Sequence, residues 1–336
     1  PLRLGLAGGG TDVSPYCDRH GGAVLNATID LYAYATLEVD AGEDVVFRTA
    51  DTRESVAAPA AHVGGEPGPL ALHRAVYRRI VAEFRRGVPL PCRLTTFCEA
   101  PPGSGLGSSS TLVVAMVKAY VEALSLPLGE YDIAHLAFQI EREDAGLLGG
   151  RQDQYAAAFG GFNFIEFYAD DRVIVNPLRV KSWIVSELES SMVLFHTGVS
   201  RASADIIAEQ TRNIVADSSQ SMDAMHALKA DAFRMKEALL RGDTRRMAEI
   251  LNASWDAKRK LATAISNAGI ERVMERAFAA GATAAKVSGA GGGGFVLFMA
   301  DPLRRVELMS ALGELPGQVL TCSFAERGTE GWRLGG

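Results

Sequence analysis

Residues 99–111 read Glu99-Ala-Pro-Pro-Gly-Ser-Gly-Leu-Gly-Ser-Ser-Ser-Thr111, a glycine-rich segment that runs directly into the apolar stretch Leu112–Val117. Glycines at three alternate positions let the backbone turn tightly and approach a ligand, and the apolar stretch is typical of a helix. Backbone N–H groups at the start of that helix would face an anion, assisted by the positive end of the helix dipole. The segment therefore predicts a cradle for the phosphates of a nucleoside triphosphate.

Three consecutive serines at the end of the cradle add hydroxyl groups that can cap the helix, bond phosphate oxygens or reach a metal ion. A plain capped helix after a Pro-Gly turn is the alternative interpretation of the same residues. The segment is not a Walker A loop, because that pattern requires a lysine and none occurs between Arg93 and Lys118. The cradle must therefore belong to another phosphate-binding class.

Two more glycine-rich segments lie near the ends of the chain, Pro1-Leu-Arg-Leu-Gly-Leu-Ala-Gly-Gly-Gly-Thr-Asp12 and Lys286-Val-Ser-Gly-Ala-Gly-Gly-Gly-Gly294. With the cradle between them they match, in order, the three motifs of the GHMP kinase superfamily, which the whole chain resembles. The first segment is similar to that of sugar kinases acting on heptose or fucose, since galactokinases carry Glu and His in place of Gly9 and Gly10. The segments Gly149-Gly-Arg-Gln-Asp-Gln-Tyr155 and Thr197-Gly-Val-Ser-Arg201 favour a heptose phosphate kinase.

The resemblance implies an enzyme, an ATP- and Mg²⁺-dependent phosphotransferase with an alcohol group as acceptor. The implied substrate is D-glycero-D-manno-heptose 7-phosphate, phosphorylated on its anomeric hydroxyl to the 1,7-bisphosphate for nucleotide-heptose and surface polysaccharide biosynthesis. Two alternatives remain open, a kinase for another sugar such as fucose or galactose and a non-catalytic sugar- and ATP-binding regulator on the same fold. Asp153, Glu141 and Ser109 are all present, which favours the enzyme.

The group that accepts the hydroxyl proton is implied by the motif around Asp153. This aspartate matches the family's base near the acceptor hydroxyl, and Arg3 stands where the family places a cation beside that base. A guanidinium there would hold the carboxylate ionised and stabilise charge on the transferring phosphoryl group. Asp153 and Arg3 are therefore the predicted catalytic residues.

The metal site is implied by Glu141, which matches the glutamate that shares Mg²⁺ with a serine of the cradle. Ser109 is that serine here, and hard oxygen ligands of this kind suit Mg²⁺. Glu143 and Asp144 are close enough in sequence to be confused with Glu141, although charged residues at a helix end are usually solvated. The chain also departs from the family at Ser110, where alanine is usual.

The remaining site residues divide between nucleotide and sugar. The resemblance implies ATP binding by Pro102, Gly103, Ser104, Gly105, Leu106, Gly107, Ser108, Ser109 and Ser110. It implies substrate binding by Gly9, Gly10, Thr11, Asp12, Arg151, Arg201, Gly289, Gly291 and Gly292. Asp12 could accept bonds from two sugar hydroxyls, or could close an Asx-type turn or cap a helix. Arg151 and Arg201, and less strongly Arg19, are candidates for the sugar's own phosphate, because a guanidinium fork matches phosphate geometry.

The third glycine-rich segment contains the pattern G-x-G-x-x-G, which raises the alternative of a dinucleotide-binding fold. That fingerprint follows a strand and opens a helix, whereas these glycines run into the strand-like stretch Phe295–Met299. A loop whose bare backbone packs against substrate and phosphates fits better. Lys286 at its start either faces a phosphate or is a solvated lysine at a strand end.

Composition excludes several classes of partner. A net charge of −6 and a pI near 5.6 give no general attraction to nucleic acid. No run of 18 apolar residues is present, so no membrane partner is expected. Four cysteines without metal spacing favour a reducing cytoplasm over a disulfide scaffold. The expected partners are thus ATP and a small sugar phosphate, and a homodimer is compatible with the resemblance.

The predicted architecture is α+β, because runs of strands stand beside segregated helices. The resemblance implies the two-domain GHMP kinase architecture, with an N-terminal ribosomal-protein-S5-like ATP-binding domain at residues 1–186, a C-terminal α/β sandwich domain at residues 187–336 and the site in the cleft between them. The patterns predict helices at 70–86, 131–144, 201–215, 219–241, 244–265 and 267–280, a surface loop at 54–69, and closing strands at 284–287, 295–299 and 318–324.

Overall fold

A computed structural model describes residues 1–39, 42–63, 68–199, 203–216 and 219–335. Within those ranges the strands are β1 Leu2–Ala7, β2 Gly22–Ile29, β3 Ala33–Val39, β4 Asp44–Thr49, β5 Ser55–Pro59, β6 Cys92–Cys98, β7 Phe162–Phe167, β8 Val173–Pro177, β9 Met192–His196, β10 Ala282–Val287, β11 Phe295–Ala300 and β12 Gln318–Thr321. The helices are α1 Tyr16–His20, α2 Ala71–Phe84, α3 Ser108–Leu124, α4 Glu130–Gln139, α5 Gln152–Phe159, α6 Ser182–Ser191, α7 Ser203–Val215, α8 Ser219–Arg241, α9 Thr244–Lys258, α10 Ala268–Ala279 and α11 Arg305–Gly313.

The first sheet joins the two halves of the chain. Its order is β1-β2-β7-β8 and its pairings are antiparallel. Every residue of β2 is buried, because Val24 packs into a core with α3 and α4 while its neighbour Leu25 packs into a core with α8 and α9. A strand covered on both faces needs apolar residues in both alternating sets, which is why Gly22–Ile29 reads as a nearly continuous apolar run.

The other two sheets belong one to each half. The order β3-β6-β4-β5 includes a parallel pairing of β4 with β6, and α3, which follows β6 along the chain, packs on β3. The order β10-β11-β9-β12 is antiparallel and packs against α10 and α11. This mixed content confirms the α+β prediction. No helix in the described ranges is both long and apolar enough to cross a membrane.

Several predicted boundaries were wrong. The surface loop at 54–69 contains β5, an edge strand that ends at a proline, and its Ala and Pro content concealed it. The helix predicted over 244–265 ends at Lys258 and is followed by a short 3₁₀ turn, Thr263–Ile265. The helix predicted over 131–144 becomes a π-helical turn at Ile140–Asp144. Asp243 caps the start of α9, since its Oδ1 accepts a bond from the Arg246 N–H at 2.9 Å.

The C-terminal tail returns to the N-terminal half. Phe324 forms a β-bridge with Ile29, and the Thr28 hydroxyl donates to the Ala325 carbonyl at 2.7 Å. The two halves therefore share a hydrophobic core and are joined by the C-terminal tail. The domain boundary after residue 186 remains a prediction.

Candidate active site

A cavity of about 260 Å³ lies where the three glycine-rich segments meet. The cradle and the loop at 147–153 form one side, the segment after β1 forms another, and Gly289 with two lysines from the second half closes the third. Its described lining includes Arg3, Gly9, Gly10, Asp12, Gly103, Gly105, Gly107, Ser108, Ser109, Ser110, Glu141, Arg142, Asp153, Lys258, Lys286 and Gly289. Residues predicted from distant parts of the sequence thus line one space.

The cradle is a concave run of backbone N–H groups. Gly103, Gly105 and Gly107 have φ of 74°, 81° and 77°, and neither residue between them has a positive φ. Alternation of this kind turns successive N–H groups toward one side, where an anion can bind. The carbonyls of Ser104 and Leu106 accept bonds from the backbone N–H groups of Phe295 at 2.9 Å and Arg3 at 3.0 Å. These carbonyls are therefore bonded to the protein. The Ser104 N–H donates to the Pro101 carbonyl at 3.2 Å, and the other N–H groups of the cradle can face a ligand.

The third segment holds the cradle in place. A Cβ on Gly105 would lie 2.5 Å from the Ser288 carbonyl oxygen, and one on Gly289 would lie 2.6 Å from the Gly105 Cα. Both positions have a positive φ, so glycine is needed there for conformation and for space. Gly291 and Gly292 instead pack on Ile265, whose carbonyl accepts the Gly292 N–H at 2.8 Å. The hairpin context, between β10 and β11, contradicts the dinucleotide-binding alternative.

The first turn of α3 receives no side-chain cap, since Gly107 precedes it in a left-handed conformation. Its N–H groups are thus available to an anion. Of the three roles considered for the serine hydroxyls, capping of the helix is not observed. Ser109 donates its hydroxyl to Glu141 Oε1 at 2.8 Å, and Ser110 donates to Glu141 Oε2 at 2.6 Å. The hydroxyls point at a carboxylate because that carboxylate is buried and needs donors.

Glu141 is the centre of this network. It stands on the π-helical turn after α4, is 2% exposed, and also accepts a bond from Gln154 Nε2 at 2.7 Å. Single π-helical turns recur at functional sites because the extra residue re-aims a side chain. Asp144 forms two bonds of 2.8 Å with Arg79 and, like Glu143, does not line the cavity. The geometry therefore favours Glu141 over its two neighbours as the carboxylate of the site.

Asp153 and Arg3 meet at the base of the cradle. Arg3 Nε donates to Asp153 Oδ1 at 2.6 Å, and Arg3 Nη1 donates to the Gly105 carbonyl at 2.7 Å. Arg3 is 5% exposed and the Asp153 side chain 20%. A Cβ on Gly107 would lie 3.2 Å from Asp153 Cγ. The carboxylate therefore faces the cavity beside the cradle, with one oxygen held by a guanidinium.

Asp12 is held by neighbouring protein groups. Its Oδ1 accepts from Gly10 N at 3.1 Å and from Gln152 Nε2 at 3.1 Å, and its Oδ2 accepts from Gln152 N at 3.0 Å. A Cβ on Gly150 would overlap Oδ2, so this position has room only for glycine. With three of about four acceptor positions filled, the carboxylate caps α5 and retains roughly one for a hydroxyl. Thr11 is fully buried and donates to the Gly8 carbonyl at 2.8 Å.

Of the arginines predicted for the sugar's phosphate, Arg151 is absent from the described lining of the cavity. Arg151 Nη2 lies 2.9 Å from Asp171 Oδ1 and 3.5 Å from Asp18 Oδ1, and its guanidinium covers the ring of Phe138. These contacts direct the side chain away from the described lining. Arg201, with the end of its segment, falls outside the described residues.

Two buried lysines line the cavity. Lys286 is 3% exposed, so the alternative of a solvated strand-end lysine was wrong. Burial, followed by the charges of Lys258 and Arg3, lowers the pKa of Lys286 to about 7, against a smaller rise from Asp231. Burial and then Arg3 lower the pKa of Lys258 to about 8, while Asp12 and Asp153 raise it. Both buried lysines therefore release their protons more readily than an exposed lysine does.

Replacement of Lys286 by Met should change how stability depends on pH. Between pH 7 and 10.5 the unfolded lysine keeps a proton that the folded lysine releases, so the wild-type free energy of unfolding rises with pH relative to the variant. The difference should grow by up to about 1.4 kcal/mol per pH unit. Urea denaturation of both proteins at pH 6 to 9 measures it, and parallel profiles would contradict the buried charge.

Sequence reasoning missed three groups that organise the site. Gln152 and Gln154 flank Asp153 in the sequence and donate to Asp12 and Glu141, so their position in the same motif was the signal that could have found them. Arg142 donates to the Gly150 carbonyl at 3.2 Å and also bonds the carbonyls of residues 147 and 148, fixing the loop before α5. Nothing in the sequence indicated a role for Lys258, because a lysine at the end of a charged helix is expected to be solvated.

The geometry defines a class of protein. A run of N–H groups at a helix start can bind phosphates, a buried carboxylate with hydroxyl neighbours offers hard oxygen ligands, and a second carboxylate facing the same space can accept a proton. These are the parts that phosphoryl transfer to a small acceptor requires.

Known proteins place the chain in a family. The model for the N-terminal domain of GHMP kinases matches residues 71–161, and the model for their C-terminal domain matches residues 235–315. A D-glycero-alpha-D-manno-heptose 7-phosphate kinase of Campylobacter jejuni is 48% identical over 99% of this chain and 98% of its own. The chain belongs to the GHMP kinase family, and as such it is a phosphotransferase that uses ATP.

Solved structures agree with the family assignment. A D-glycero-D-manno-heptose 1-phosphate kinase from Bacteroides thetaiotaomicron superposes with a TM-score of 0.85 at 44% identity, covering 100% of this chain and 98% of the other. Lactococcus lactis galactokinase, solved with galactose, superposes with a TM-score of 0.78 at 17% identity, covering 98% and 92%, and shows the shared fold. The predicted two-domain GHMP kinase architecture is thereby confirmed.

Proposed function

We propose that the protein transfers the γ-phosphoryl group of ATP to the anomeric hydroxyl of D-glycero-D-manno-heptose 7-phosphate. The single observation that carries the reaction is the Asp153 carboxylate beside the cradle, held by Arg3 at 2.6 Å. The choice of sugar rests on the similarity to the heptose phosphate kinases, whose names differ in the position of the phosphate. We adopt the 7-phosphate because the anomeric hydroxyl must be free to accept the new group.

Asp153, Arg3 and the cradle have different roles in the proposed phosphoryl transfer. As the bond between the anomeric oxygen and γ-phosphorus forms, the bond from that phosphorus to the β,γ-bridging oxygen breaks and ADP leaves. The proton of the hydroxyl passes to the free oxygen of Asp153, while Arg3 holds the other. The N–H groups of residues 105–110 bind the phosphates and are already oriented, so little reorganisation accompanies the step.

The oxygen donors fit Mg²⁺. Among the described residues, no group of three or more His, Cys, Asp and Glu side chains could hold a metal ion. Mg²⁺ does not need one, since it binds through one or two side chains plus phosphates and water. Ser109 Oγ and Glu141 Oε1, 2.8 Å apart on the cavity wall, would hold the ion. Bound there, it would neutralise charge on the β- and γ-phosphates.

The acceptor's own phosphate should dominate recognition. Heptose 7-phosphate should exceed unphosphorylated heptose by about 10²-fold or more in kcat/KM, because a buried cationic subsite left empty is costly. A coupled ADP-release assay over heptose 7-phosphate, heptose 1-phosphate, fucose and galactose measures this. Equal use of free sugars would move the function to another sugar kinase, and ATP binding without turnover of any sugar would indicate the regulator.

The proposed function also includes a compartment, a fate for the product and an oligomeric state. The four cysteines are free, and Cys17, Cys92 and Cys322 are buried, as suits a reducing cytoplasm. The product would enter a route to nucleotide-activated heptose and surface polysaccharide. A homodimer is compatible with these features, and sedimentation of the purified chain tests it.

A further inference from the structure

Two ammonium groups in the cavity wall form no ion pair within the part of the chain that the structure describes. Lys286 Nζ donates to the carbonyls of Gly5 at 2.9 Å and Leu6 at 3.4 Å, and Lys258 Nζ donates to the carbonyl of Gly289. Lys258 is 4% exposed. Neither lysine forms an ion pair with a carboxylate of the described residues, although each retains N–H groups beyond those used.

The nearby carboxylates are already bonded to other groups. Asp153 is paired with Arg3, and Asp12 accepts three bonds from Gly10 and Gln152. Asp231 accepts from Ser254 Oγ at 2.8 Å and from Arg234. Burying a charged group without an oppositely charged partner costs free energy, because the group loses its hydration and gains no ion pair in return. The arrangement becomes favourable when an anion enters the cavity.

We propose that Lys258 and Lys286 form a phosphate subsite that binds a phosphate dianion carried by a substrate. The inference rests on the proposed function, which supplies two sources of that group, the 7-phosphate of the acceptor and the γ-phosphate of ATP. Position favours this role, because Lys258 bonds Gly289, which contacts the cradle at Gly105. The lysines thus take the place that Arg151, bound to Asp171 and Asp18, leaves open.

The test compares Lys258→Met and Lys286→Met with Lys260→Met, which removes the same charge from an exposed position two residues beyond α9. Each cavity variant should lose about 10-fold or more in kcat/KM for heptose 7-phosphate, and the control should stay within about 2-fold. Removal of a buried unpaired charge should leave the unfolding temperature equal or higher. Gln replaces Met if a variant does not fold.

The pattern of loss identifies the source of the phosphate. A loss confined to heptose 7-phosphate, with unphosphorylated heptose unaffected, assigns the subsite to the acceptor. An equal loss with both acceptors and a raised KM for ATP assigns it to the γ-phosphate. Unchanged kinetics, or a loss that accompanies a lower unfolding temperature, overturns the proposal.

A separate measurement keeps this inference apart from the choice of sugar. Inorganic phosphate should raise the unfolding temperature of the wild-type chain, and the rise should fall by about half or more in each cavity variant but not in Lys260→Met. If heptose 7-phosphate is not a substrate and this result holds, the proposed function fails and the subsite stands. An identical rise in all four proteins overturns the subsite whatever the sugar.

Discussion

Asp153→Asn should lower kcat by about 10²–10⁴-fold while ATP binding changes little, because general-base catalysis is worth that amount. The amide oxygen can still accept the bond from Arg3, so the geometry should persist while the proton acceptor is lost. Steady-state kinetics with heptose 7-phosphate and a nucleotide-binding titration measure the two effects. Asp171→Asn is the matched control, since that exposed carboxylate pairs with Arg151 outside the cavity lining.

The coupling between Asp153 and Arg3 gives a second arm to this prediction. Arg3→Met should also lower kcat, and the double variant should lose less than the product of the single losses, because the two residues act as one unit. If Asp153→Asn keeps a near-normal kcat and only raises the KM for the sugar, Asp153 is a binding residue. Asp12 is then the first candidate for the base.

Glu141→Gln should raise the Mg²⁺ concentration for half-maximal activity by at least about 10-fold, since even outer-shell partners of a metal contribute 10–100-fold to affinity or activity. Gln keeps the size of the side chain and can still accept from Ser110 and Gln154, so the fold should survive. A Mg²⁺ titration of activity, with circular dichroism as the check on folding, measures the change.

The control for the metal prediction is Glu143→Gln, which removes a carboxylate that is 53% exposed and two residues away. It should leave the Mg²⁺ titration as in the wild type. If the titration is unchanged in Glu141→Gln and shifted in Glu143→Gln, the metal role belongs to the latter residue and the hydroxyl network of Ser109 and Ser110 is structural.

Glycine patterns made much of the site predictable from the sequence. The alternation Gly103, Gly105, Gly107 allows a backbone with repeated positive φ that other residues rarely adopt, so the cradle could be inferred without knowing its surroundings. Helix ends were less predictable. The helix from Thr244 ends at Lys258 although the apolar pattern continues, and tighter backbone bonds of Lys260 to Ala257 and of Leu261 to Lys258 follow it.

The surroundings of the charged side chains could not be assigned from the sequence alone. Arg151 sits inside the motif of the base and looked like a phosphate ligand, yet its guanidinium bonds Asp18 and Asp171. Lys258 looked like a solvated residue of a charged helix and lies in the cavity. Whether a charged side chain faces solvent, a partner or a ligand depends on groups that are distant in the sequence. No short segment shows which of those groups will lie nearby, because the tertiary fold brings them together.

The sequence by itself determined the local features of this protein: the turns that only glycine permits, the helix that follows the cradle, and the three ordered motifs that indicate the family. Local backbone sterics decide these, so a short segment carries the information. The tertiary structure decided which residues share the cavity. Arg3 and Asp153 are 150 residues apart, and they meet at 2.6 Å because α5 packs on the sheet that contains β1. Burial then sets the charge of Lys286 and Lys258, since desolvation depends on the whole of the surrounding fold.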